Sequence, residues 1–106
     1  MGDDVVDLFR AVSRKEADNL MDTGEFAGKH AGDAKWFAED VDDALYYKDR
    51  LNGDAIVHTT ISRSHYDELW HDEVYDDGWR RVVTVLDDQL DDFNARAGGI
   101  SISFIE

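Results

Sequence analysis

Residues 35–51, KWFAEDVDDALYYKDRL, constrain the fold more than any other stretch of this chain. They hold a short apolar run (Trp36, Phe37, Ala38), an acidic turn at Glu39 and Asp40, and a helical pattern opened by Asp42 and Asp43. Two carboxylates in a first turn lie at the positive end of the helix dipole and stabilise the start. Val41, Ala44, Leu45 and Leu51 fall on one helical face, with Tyr47 at its edge and the charges outside. Strand, turn and amphipathic helix must then pack back on one core. That is a βα unit, and the flanking sequence has to supply the rest of its sheet.

Upstream, residues 5–12 alternate as a strand, with Leu8, Arg10 and Val12 on one face and Asp7, Phe9 and Ala11 on the other. Arg10 is a charge between two aliphatics, so it either meets solvent at an edge or reaches into a cleft to hold an anion. Ser13-Arg14-Lys15-Glu16 has the form of a capping box, in which hydroxyl and carboxylate satisfy each other's amides. It opens a helix that turns Ala17, Leu20 and Met21 to the core, and Gly24 stops it. Residues 26–33 read as an exposed loop, with His30 in solvent.

Downstream, Asn52-Gly53-Asp54 turns the chain into a β-branched strand over 55–62, where His58 is expected to be half-buried and hydrogen-bonded. Ser64 starts a short helix running through Trp70. Asp76-Asp77-Gly78 is a turn, residues 79–86 are a strand, and Asp87 caps a helix carrying Leu90, Phe93, Asn94 and Ala97. Gly98-Gly99 ends it, and Ile100, Ile102 and Phe104 alternate with serines in a closing strand. This order predicts one α+β domain over residues 1–106, with a mixed or antiparallel sheet of about five strands and three to four short helices.

A chain of 106 residues supports one modest core, and its three Trp, four Tyr and five Phe argue against disorder. Without cysteine there is no disulfide, zinc–thiolate site or thiol nucleophile. No apolar run reaches the length of a membrane span, the first residues lack the layout of a signal peptide, and Val6 breaks the myristoylation pattern. The expected compartment is the cytoplasm.

The formal net charge of −14 bears most directly on partners. It repels nucleic acid and anionic membrane, and it attracts a basic protein surface such as the nucleic-acid channel of an effector. The same acidity also serves solubility or adaptation to high salt. Nineteen of the 25 acids are Asp, several in doublets. On a helix after Asp87, residues Asp88, Asp91 and Asp92 are spaced i, i+3 and i+4, which lines their carboxylates along one exposed face. Asp76 and Asp77 extend that patch, so Asp76, Asp77, Asp87, Asp88, Asp91 and Asp92 are the candidate partner-binding residues.

Catalytic motifs are few. There is no phosphate-binding loop with its Lys and no GxGxxG. His65 and His71 are six apart, on different faces of a helix, so no metal site is expected. Asp22-Thr23-Gly24 matches an aspartic-protease tripeptide but finishes a helix, where that chemistry needs an extended strand.

LFRAVS at 8–13, a capped helix ending in TGEF, and KWFAEDVDDALYY at 35–47 together resemble the front of small bacterial and phage domains of the ADP-ribosyltransferase-like fold, often found as toxin modules. The resemblance implies NAD as cofactor, with Arg10 on its pyrophosphate or ribose and Trp36, Phe37 or Tyr47 against the nicotinamide. The hydroxyl that often follows the aromatic residue in that family is Ala38 here, and its catalytic glutamate has no assigned counterpart. Phage also use such folds, and small acidic proteins generally, to inhibit bacterial defence systems including CRISPR effectors. The leading expectation is therefore an acidic inhibitor that binds a basic partner and needs no cofactor. The alternatives are an NAD-dependent ADP-ribosyltransferase acting on a protein, and an immunity or halophilic structural domain.

Overall fold

Alternation decides where the first strand sends its side chains. Val6, Leu8 and Val12 are buried, while Val5 and Asp7 are exposed. The computed structural model describes residues 4–26, 34–74 and 80–104. In chain order the elements are β1 (Val5–Val12), α1 (Arg14–Thr23), β2 (Ala34–Ala38), α2 (Val41–Leu51), β3 (Ala55–Ser62) and α3 (Arg63–Glu68). They continue as β4 (Trp70–Val74), β5 (Arg80–Leu86), a 3-10 turn at Asp87–Gln89, α4 (Leu90–Arg96) and β6 (Ser101–Phe104). The six strands make one sheet in the order β4-β5-β2-β1-β3-β6, antiparallel at every pairing. The chain is a single α+β domain, with one strand more than its sequence predicts.

Helices cover the two faces unequally. The face carrying Leu8, Phe37, Val57, Ile61, Val83 and Val85 packs against Ala17 and Leu20 of α1, Tyr66 of α3, and Leu90 and Phe93 of α4. Phe37 sits at its centre, with ring centroids 5.1 Å from both Phe26 and Phe93. Among the described residues the opposite face carries α2 alone, which rests on β1, β2 and β3 through a smaller cluster of Ala38, Ala44 and Ile56.

Several local expectations change for physical reasons. Ser13 Oγ does accept the Glu16 amide at 3.2 Å, but the Glu16 carboxylate turns to the Arg10 guanidinium at 2.7 Å. Only half of the capping box therefore forms as written. Met21 and Val41 are exposed, because Ala17 with Leu20 and Ala44 already fill the contact faces of α1 and α2. Asp40 caps α2, accepting the Asp42 amide at 2.7 Å. Ser62, not Ser64, caps α3, and α3 ends at Glu68 so that Trp70 begins a strand. Asp87 opens a 3-10 turn and does not cap α4, whose N-cap is Gln89. The stretch 27–33 with His30, and Trp79, lie outside the described residues. Among the described residues no helix is long and apolar enough to cross a membrane.

Gly98 is needed where α4 returns to the sheet. Its amide donates to the Thr60 carbonyl at 2.7 Å, and a Cβ there would lie 2.4 Å from Thr60 Oγ1. Gly98→Ala is expected to lose about 1–3 kcal/mol of stability in urea unfolding, as overpacking does. Adding Thr60→Ala should restore part of it, and equal losses with and without Thr60 would place the cause elsewhere.

Candidate functional site

The stretch Lys35-Trp36-Phe37-Ala38 is divided by its own pleat. Lys35 and Phe37 turn to the three-helix face, Trp36 and Ala38 to the α2 face. Where α2 crosses, Ala11, Ala38 and Ala44 meet each other with small side chains, and Phe9, Trp36 and Tyr47 stand around them. Three alanines where larger residues would close the gap leave a cleft of about 200 Å³, floored in part by Val82. Its walls are mostly apolar. The acidic first turn of α2, with Asp42 and Asp43, begins just before Ala44.

The sheet beside this cleft carries exposed aromatic side chains. Thr84 pairs with Trp36 on one side and with Trp70 on the other, so the two indoles flank it in one cross-strand row. Trp36 is 57% exposed and Trp70 is 68% exposed. Leu86, two residues along β5 from Thr84, is exposed as well. Large apolar groups left together on one face mark contact surfaces more often than single exposed ones do.

All four residues attached to NAD by resemblance, Arg10, Trp36, Phe37 and Tyr47, line the cleft, but their side chains divide between the two faces of the sheet. Trp36 and Tyr47 stand on the α2 side. Phe37 is wholly buried on the other face, and so cannot stack on a ligand there. Arg10 projects to that other face too, where Nε and Nη2 donate to the two Glu16 carboxylate oxygens at 2.7 and 3.0 Å and Nη1 donates to the Trp36 carbonyl at 3.1 Å. The anion that Arg10 holds is its own Glu16, which also lies 3.7 Å from Lys35. Burial alone would raise the Glu16 pKa, but Arg10 and then Lys35 outweigh it and hold the carboxyl below its ordinary value.

The acidic candidates are partly dispersed. Asp88 and Asp91 are exposed. Asp92 is exposed too, but Arg96 donates to it at 3.0 Å while also gripping Glu68 at 2.9 Å. The expected row of three thus loses one carboxylate to a local ion pair. Asp87 and Asp88 both belong to the 3-10 turn ahead of α4, so the expected helical spacing does not hold at Asp88, and Asp76 and Asp77 lie outside the described residues. Beneath this group, His65 is buried against Phe93, and burial followed by the nearby Arg96 keeps its pKa below the ordinary value.

His58 matches its expectation, its Nε2 lying 2.8 Å from Asp7 and its ring stacked on Phe9. Trp70 and Thr84 were not among the residues picked out from the sequence. The usable signal was the Asp76-Asp77-Gly78 turn, which implies a strand on both sides and so a partner strand before it. No protein-family model, curated protein or solved structure matches this chain.

Proposed function

We propose that this chain is an acidic protein-binding module that engages a basic surface of a partner and inhibits it by occupying that surface. The nucleic-acid-binding face of an effector protein fits this reading. The observation that carries it is the pair of exposed tryptophans on one sheet face in a chain of net charge −14. Charge provides long-range attraction and fast encounter, while exposed aromatic area provides short-range affinity. Asp88 and Asp91 add carboxylates that can replace phosphates on a basic surface.

Capture from a bacterial lysate at low salt should retain a basic protein that duplex DNA or RNA displaces. Raising salt from about 50 to 200 mM should weaken that binding by orders of magnitude where several charges are matched. Asp88→Lys/Asp91→Lys should weaken it further at low salt. Binding that ignores both salt and the charge reversal would remove the reading.

The ADP-ribosyltransferase alternative keeps one supporting observation, the placement of Arg10, Trp36, Phe37 and Tyr47 around a single cleft. Calorimetry with NAD decides it, and absence of heat together with absence of label transfer to protein ends it.

A further inference from the structure

We infer that the row Trp36–Thr84–Trp70 is an arginine-reading surface, on which guanidinium groups of the basic partner stack. This rests on the protein-binding reading above and adds the chemistry that the site selects. Adjacent strands lie about 4.7–4.9 Å apart, so two ladder steps place the Trp36 and Trp70 backbones on the order of 10 Å from each other, with Thr84 between. A flat cation seated over Thr84, between the two exposed indoles, would contact both at roughly 3.5–4 Å. Indole is the best aromatic partner for a cation, and the planar, weakly hydrated guanidinium stacks where an ammonium does not.

Trp36 also walls the neighbouring cleft. The stem of a long side chain can therefore lie along Ala38, Ala44 and Val82 while its head stays on the ring, the charge of Arg10 at this cleft being matched by Glu16. Charge selects among the flat groups that could stack there. A nucleobase brings a phosphate backbone that a chain of −14 repels, whereas an arginine brings the charge that the chain attracts.

The test compares short oligo-arginine and oligo-lysine peptides of equal length, followed by tryptophan fluorescence and by calorimetry at low salt. Arginine should bind at least about threefold more tightly than lysine, and Trp36→Ala and Trp70→Ala should each cost roughly two- to thirty-fold in the arginine peptide alone. Trp36→Phe and Trp70→Phe, which keep a ring, should retain part of the preference. Equal binding of the two peptides, or an arginine preference that survives both alanine variants, overturns the inference and leaves the electrostatic reading standing. If neither peptide binds, both fall. If sedimentation shows a dimer that Trp70→Ala dissociates, the face belongs to a second copy and the inference is again overturned. Stacking of a neutral oligosaccharide in place of the peptides overturns it too.

Discussion

Phe37→Ala is expected to lower the unfolding free energy by about 3–5 kcal/mol, while Trp36→Ala next to it changes stability by less than about 1 kcal/mol. The contrast follows from one peptide step. Phe37 is wholly buried, edge-on to Phe26 and tilted against Phe93, so truncation opens a cavity between the two remaining rings, one just after α1 and one on α4. Trp36 faces water over more than half of its surface, and its neighbours lose little when it is removed. Urea unfolding of the two variants measures this directly. Binding should show the reverse order, with Trp36→Ala losing affinity at full stability. If Trp36→Ala were the more destabilising of the two, the division of this strand between core and contact surface would be wrong.

That division explains what the sequence could and could not reveal. Strands with a clean period of two, such as 5–12 and 55–62, were legible to the residue, because each has one face mostly or wholly buried. The run Trp36-Phe37-Ala38 has no polar member, so period alone could not assign its two faces, and Phe37 read as a ligand wall. Strand β4 was hidden for the opposite reason. Trp70-His71-Asp72-Glu73-Val74 is an edge strand rich in charge, a composition that guards against edge pairing and that resembles a helix surface.

The place of Arg10 between Leu8 and Val12 left two readings open, a solvent-facing edge residue or an anion holder, and the fold takes the second. Its anion was not, because Glu16 appeared already occupied as the second half of a capping box. Two local roles competed for one carboxylate, and the charge-assisted fork was stronger than the single amide bond. The acidic row failed at Asp92 in the same way, since Arg96 four residues on is its natural helical partner. Charge patterns in a sequence count carboxylates; they do not show which ones the fold has already paired.

Glu16→Gln is the second large effect, expected to destabilise by about 2–4 kcal/mol. The Arg10 and Glu16 side chains are only 18% and 21% exposed, so neutralising the carboxylate leaves a mostly covered guanidinium without its counter-charge. Arg10→Met should cost less, because Glu16 still has Lys35 at 3.7 Å. The order of these two losses, not their size alone, identifies Glu16 as the centre of the cluster. Acidity provides an independent readout. The folded pKa of Glu16 lies below its unfolded value of about 4.5, so the stability it contributes is complete above that pH and is lost as pH falls through the depressed folded value. Wild-type unfolding free energy should therefore decline on that limb, and Glu16→Gln should flatten the decline. His65, also depressed in the fold, begins a separate loss as pH drops below about 6.5, which the Glu16 variant should leave intact. If Arg10→Met left stability unchanged and the acid limb of Glu16→Gln matched the wild type, the fork would be idle in folding. Arg10 would then be available to an anionic ligand after all.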